Sequence, residues 1–122
     1  MLPPTLLVVE DDPLVMLSAA AALEDEGWVV KKAANGAVAI NRLGDPAEAV
    51  DAVVIDITLG DGPSGWDVAR FARSVNANIA VAYITGDMNA GFHPEIVDGG
   101  VVLCKPFKDS ALLEALNRLL DH

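Results

Sequence analysis

Cysteine is almost absent from this chain. Cys104 stands alone, so no internal disulfide can form, and in its apolar run the thiol is expected to be an inert core group. Histidine is nearly as scarce. His93, just before Pro94, and His122, at the end, have no second ligand at a sensible spacing, which excludes a zinc-type site. Basic residues are few: 8 Lys and Arg against 18 Asp and Glu give a formal net charge of -10. A surface of that sign repels a phosphate backbone, so direct nucleic-acid binding is not expected. Although 52% of the residues are hydrophobic, no uncharged apolar run approaches the roughly 20 residues that cross a bilayer, so no membrane partner is expected either. Met1-Leu2-Pro3-Pro4 lacks the basic start and long apolar centre of a secretory signal. With no Ser/Gly linker, repeat or low-complexity tract, the expectation is one domain over residues 1–122, cytoplasmic, acting with a protein partner.

What is present is a series of short apolar runs that end in polar residues. The organising one is Ala52-Val53-Val54-Ile55-Asp56, followed by a glycine-rich loop. A β-branched run without alternation reads as a strand buried on both faces, as in a parallel sheet covered by helices. Thr5–Val9 is a second such run and ends in Glu10-Asp11-Asp12-Pro13, where Asp12 caps and Pro13 opens a helix to about Glu26. Leu14, Leu17 and Ala21 are expected on its inner face, and Gly27 ends it. Trp28–Ala33 is a more polar strand nearer an edge, and Asn35 caps a helix from about Gly36 to Leu43.

Beyond the glycine loop, Trp66–Val75 reads as a helix with Val68, Phe71, Ala72 and Val75 on its apolar face. Ile79–Ile84 is a strand ending in Thr85-Gly86-Asp87. Residues 87–98 are poorly patterned, with Gly91 and Pro94 each unfavourable in a helix, so a short or irregular one is expected there. Val101–Cys104 is the fifth strand, ending in Lys105-Pro106-Phe107. Ser110–Leu120 closes the chain as a helix with Leu112, Leu113, Leu116 and Leu120 on one face, serving the core first and a homodimer surface second. Trp28 and Trp66 read as packing residues. Strands alternating with helices give an α/β fold: a five-stranded parallel sheet with helices on both faces.

Ligands of such sheets gather beyond the carboxyl ends of the strands. Glu10 and Asp11, Asp56, Thr85 and Lys105 stand at four of those ends. Converging carboxylates repel unless a cation joins them, and an all-oxygen donor set points to a hard divalent ion, with Mg²⁺ suiting few protein ligands and several waters. Lys105 can bind a phosphoryl oxygen, Thr85 supplies a hydroxyl donor and Gly86 leaves room beside it. Asp56 can then act as nucleophile and become an acyl phosphate, a charge change that suits a switch.

These features, VVEDD at the first strand, VVID at the third, ITG at the fourth and CKPF at the fifth, resemble the receiver domain of the two-component response-regulator family over essentially the whole chain. The resemblance implies a flavodoxin-like strand order 2-1-3-4-5, Asp56 as phosphoacceptor, and Thr85 and Lys105 as the phosphoryl-binding pair. It further implies Asp11 as a direct Mg²⁺ ligand, Glu10 acting through a metal-bound water, the Thr58 backbone carbonyl completing the shell, and a cis Lys105-Pro106 peptide. It implies as partners a histidine kinase or histidine phosphotransfer protein and a downstream protein, and a self-phosphorylating, autodephosphorylating switch rather than a turnover enzyme. Stand-alone use and excision from a larger hybrid protein both fit.

Three departures from the family pattern stand out. Val102 occupies the position three before the lysine where an aromatic switch residue is usual, Gly60 stands where proline is common, and Gly65 lies one residue later than usual. With residues 87–98 also a poor match, signalling is expected to run through a rearranged or mobile 87–98 region rather than an aromatic rotamer. The alternatives are a haloacid-dehalogenase-like Mg²⁺ phosphatase, against which Thr58 replaces the second acid of Asp-x-Asp, and a degenerate binding module, against which the cluster is intact.

Overall fold

The computed structural model describes residues 2–87 and 93–121. In these residues the chain runs β1 (Thr5–Val9), α1 (Pro13–Asp25), β2 (Val29–Ala33), α2 (Gly36–Leu43), β3 (Ala52–Asp56), α3 (Gly65–Val75), β4 (Ala80–Thr85), β5 (Val101–Cys104) and α4 (Asp109–Leu120). All strand pairs are parallel and the order is β2-β1-β3-β4-β5, as the resemblance implied. Chain direction reverses its walk across the sheet at β1 and β3, so a crevice opens at the carboxyl ends of these two strands.

Strand alternation divides the core in two. Leu7, Val9, Val53, Ile55, Val81 and Tyr83 point toward α2 and α3, where Ala39, Leu43, Val68 and Ala72 close over them. Leu6, Val8, Val54, Ala82 and Ile84 point the other way, toward Ala19 and Leu23 of α1 and Leu112 and Leu116 of α4. Burial on both faces is why β3 and β4 carry no charged residue before their last, and no polar group there except the Tyr83 hydroxyl. The edge strand β2 is the more exposed and carries Lys31 and Lys32.

Local chemistry fixes the helix starts. Asp12 accepts from the amides of Leu14 and Val15 at 2.9 and 3.4 Å, and Asn35 accepts from Val38 at 2.9 Å. Ser64 and Asp67 form a reciprocal capping box on α3, one residue earlier than the Trp66 start read from sequence. Gly27 ends the first helical segment with φ +87°.

The inner face of α1 differs from expectation: Leu14 is 77% and Leu17 63% exposed, and Ala21 is exposed too. Its buried stripe is instead Ala19, Ala20 and Leu23, with half-buried Met16 completing an i, i+3, i+4, i+7 set. This helix is apolar nearly all round, so periodicity alone could not select the face.

Between β4 and β5, residues 88–92 of the expected irregular segment lie outside the described residues. Over 93–100 the chain makes turns and no helix, with Ile96 N–H on the His93 carbonyl at 3.2 Å and Gly100 N–H on that of Val97 at 2.9 Å. Cys104 is half-buried rather than a core thiol, because β5 is the other edge strand and is only partly covered along its length.

Gly36 and Gly86 differ in the space around them. A Cβ at Gly36 would stand 2.4 Å from the Pro63 carbonyl oxygen, whereas one at Gly86 would meet nothing within 4 Å. Urea unfolding should show Gly36→Ala losing about 1–3 kcal/mol by overpacking, while Gly86→Ala stays within about 0.5 kcal/mol of wild type.

Candidate functional site

The parallel register brings Val9 of β1 beside Ile55 of β3, so Glu10 and Asp56 emerge as neighbours at the crevice. Asp56 in turn pairs with Ile84, which puts Thr85 one residue beyond it on the other side. Lys105 follows β5, and its amide donates to the Thr85 carbonyl at 2.7 Å. From there its Nζ reaches Asp56 Oδ2 at 2.9 Å and Glu10 Oε1 at 3.3 Å. The remaining carboxylate oxygens are held by backbone: Thr58 N–H donates to Asp56 Oδ1 at 2.9 Å and Asp12 N–H to Glu10 Oε2 at 3.1 Å. Carboxylate oxygens of Glu10, Asp11 and Asp56 lie within 4.8 Å of one another. Glu10, Asp56 and Thr85 are buried, and Asp11 is exposed at the rim.

The six residues singled out in the sequence therefore meet at one mouth. Thr58 contributes its amide to the Asp56 carboxylate, a local Asx-type bond that an Asp two residues ahead of an ordinary amide does not announce in sequence. Thr85 Oγ1 accepts from the Asp87 amide at 3.0 Å. Lys105-Pro106 is cis, as the resemblance implied.

Two glycines set the shape of the loop between β3 and α3. Gly60 has φ +70°, which favours glycine, and it faces Asp11. A Cβ on Gly65 would stand 2.5 Å from the Asp56 carbonyl oxygen and 2.6 Å from the Ile57 Cα, and its amide donates to the Ile57 carbonyl at 3.0 Å. The start of α3 thus rests directly on the backbone of Asp56.

Burial and charge together set the electrostatics of the site. Burial raises the Glu10 carboxyl from 4.5 to about 7; the Asp12 amide opposes this and the negative charge of Asp56 adds to it. Burial of Lys105 works against its ammonium, but the hydrogen bond and charge of Asp56, aided by Glu10, outweigh it and hold its pKa above the ordinary lysine value. An all-oxygen set of three carboxylates beside a single ammonium is an anionic excess that suits a hard divalent cation.

Several contacts near the site carried no signal in the sequence. Trp66, buried as expected of a packing residue, is tilted against Tyr83 with ring centroids 4.9 Å apart and carries His93 stacked on it at 4.4 Å. Val102, at the position that departs from the family pattern, lies in register beside Tyr83 and packs on the same side of the sheet. Leu14 and Val15 with Pro106 and Phe107 line an open groove of about 370 Å³ beside Lys105.

Strand order 2-1-3-4-5 with an acidic pocket at the point where the order reverses defines a flavodoxin-like domain with a charged strand-end site. The chain belongs to the response regulator receiver domain family, which matches residues 6–117. It is 34% identical over 97% of its length to a probable transcriptional regulatory protein, TcrX, of Mycobacterium tuberculosis, and spans 50% of that protein. Among solved structures it is similar to a response regulator receiver protein from Sinorhizobium medicae, with 34% identity, 98% and 95% of the two chains covered and a TM-score of 0.92. It is also similar to the response regulator protein TrrA from Thermotoga maritima in complex with Mg(2+)-BeF, with 25% identity, 96% and 99% covered and a TM-score of 0.86. Receiver domains are signalling switches of two-component systems, generally not turnover enzymes, and they bind Mg²⁺ at the acidic pocket. No helix among the described residues is long and apolar enough to cross a membrane.

Because the folded-state pKa of Glu10 is raised, its contribution to stability is fully present below the ordinary value of 4.5 and is lost as pH rises through about 7. Urea titrations at pH 5 and pH 8 should show this fall in wild type and a flatter dependence in Glu10→Gln.

Proposed function

We propose that residues 1–122 act as one cytoplasmic receiver unit in which Asp56 accepts a phosphoryl group from a phosphohistidine on a histidine kinase or histidine phosphotransfer protein. One observation carries this reading: the Lys105 ammonium lies 2.9 Å from a buried Asp56 carboxylate, with Glu10 and Asp11 beside it at the strand-end crevice. A carboxylate oxygen of Asp56 forms the new O–P bond as the N–P bond of the donor breaks, and the leaving imidazole keeps or takes up its proton from solvent. The charge that spreads over the phosphoryl oxygens is met by Lys105, which exchanges its carboxylate partner for the incoming group, and by the Thr85 hydroxyl.

Asp11 and Asp56 with the Thr58 carbonyl would hold Mg²⁺ directly, and Glu10 through a water; the ion supplies neutralisation of phosphoryl charge when bound. The Asp56 carboxylate is kept in orientation by the Thr58 amide while the reaction proceeds. Donor docking is supported by the exposed Leu14 and Leu17 and by the apolar groove of Leu14, Val15, Pro106 and Phe107, which opens next to Lys105. A helix laid on that apolar surface would bring its histidine to the mouth of the sheet. The output is a contact with a downstream protein or onward relay of the phosphoryl group.

Incubation with acetyl phosphate and Mg²⁺ followed by intact-mass measurement tests the reading. Wild type should gain one labile phosphoryl group and Asp56→Asn none, while Lys105→Ala should form the adduct roughly a hundredfold more slowly. An equal adduct on Asp56→Asn, or rapid turnover of phosphomonoesters as a phosphatase would give, overturns it.

A further inference from the structure

Glycine is a poor helix former, yet α2 opens on Gly36. Its φ lies outside the left-handed region, so no turn calls for glycine there, and alanine would suit the helix better. Space calls for it instead. A Cβ at Gly36 would stand 2.4 Å from the Pro63 carbonyl oxygen, 3.0 Å from its carbonyl carbon and 2.9 Å from its Cβ. The first turn of α2 therefore presses its bare backbone on the loop between β3 and α3.

That loop depends on outside support. It is closed by the Gly65 N–H on the Ile57 carbonyl at 3.0 Å, and Gly60 and Gly62, at φ +70° and +89°, leave the chain between them pliable. Thr58, Gly60, Asp61 and Gly62 are exposed, while Leu59 is buried in the core and half-buried Pro63 is seated on Gly36. The same stretch before α2 also holds the other acidic loop: Glu10 N–H donates to the Ala33 carbonyl at 3.1 Å, two residues before the Asn35 cap. Residues 33–36 thus touch both the loop that carries Glu10 and Asp11 and the loop that follows Asp56. Carboxylate oxygens from these two loops lie within 4.8 Å of one another, and their spacing decides how well a small ion with strict octahedral demands is held.

We infer that the start of α2 is a spacer between the two acidic loops, and that Gly36, acting through Pro63, is a positioning residue for the cation site. The inference rests on the receiver reading of the pocket and adds an element which that reading does not use. A side chain at position 36 must push the Pro63 carbonyl back to an ordinary contact distance, a shift on the order of 1 Å. The loop passes that displacement to Thr58, whose amide orients Asp56 Oδ1.

The test titrates Mg²⁺ without phosphodonor and follows the Asp11 and Thr58 amide resonances in wild type, Gly36→Ala, Pro63→Gly, the double variant and Ala39→Gly. Ala39 is fully buried on the next turn of α2, so its variant controls for lost stability alone. Gly36→Ala should bind Mg²⁺ about tenfold more weakly, and so should Pro63→Gly, which frees the loop without a clash; about tenfold is the low end for loss of a metal ligand's support. Because both act through one contact, the double variant should bind no more weakly than Gly36→Ala. Ala39→Gly should keep wild-type affinity. Unchanged affinity in folded Gly36→Ala, losses that multiply in the double variant, or an equal loss in Ala39→Gly overturns the spacer. Should Gly36→Ala not fold, Pro63→Gly decides, and unchanged affinity there overturns it. Parallel incubation of wild type with acetyl phosphate, read by intact mass, separates the two readings. An adduct leaves the receiver reading standing whatever the variants show, whereas wild type that binds no Mg²⁺ overturns the spacer, and the receiver reading with it if no adduct forms.

Discussion

Lys105 reaches from the end of β5 to carboxylates delivered by β1 and β3, and the bond it makes to Asp56 at 2.9 Å is what allows two buried acids to stand side by side. Neither Asp56 nor Glu10 retains much solvent, with side chains 8% and 2% exposed. Taking such charges out of water costs several kcal/mol each, and a single ammonium repays that only when the remaining lone pairs are satisfied. Here the Thr58 and Asp12 amides satisfy them. Burial, with the charge of Asp56 adding to it, still raises the Glu10 carboxyl, and a site in that condition gains from a cation.

The sheet is built so that this conflict cannot relax by spreading apart. Val9, Ile55, Tyr83 and Ile84 are all but fully buried, and the helices on both faces leave the strands no lateral freedom. Gly65 brings the start of α3 into backbone contact with Asp56 and Ile57, a closeness any side chain would prevent. Position is therefore set by backbone packing and charge by side chains. The two are independent enough that the site can change its charge while its frame stays fixed.

Most of this was legible because strong local signals agreed with the fold. The apolar run to Asp56, the Asp12-Pro13 start and the Asn35 cap each have one reading, and the elements observed begin within a residue or so of those expected. The strand order came only with the family resemblance, since alternation of strands and helices permits more than one. What failed to show in the sequence was relational. In α1, apolar residues on nearly every side hid which stripe would turn inward, and Leu14 and Leu17 went to the surface. The Trp66–His93 stack joins residues 27 apart through a segment without periodicity, and no spacing rule connects them. Cys104 has apolar sequence neighbours but lies on an edge strand, and an apolar run does not distinguish an edge from the centre of a sheet.

A charge change at the mouth of such a sheet must be absorbed by whichever neighbour yields most easily, and the neighbours are unequal. On the α1 and α4 side, Leu23, Leu112 and Leu116 are fully buried against the strands, so moving either helix exposes apolar area at about 25 cal/mol per Å². On the other side, α3 is anchored by Val68, Ala69 and Ala72, and its first turn, at Gly65, lies against the backbone of Asp56 and Ile57. Residues 93–100 bury no side chain fully and make their contacts with partly solvated groups. Burial therefore grades the surroundings of the site: the strands and the helices over them are held by buried apolar area, and the turns at 93–100 are not.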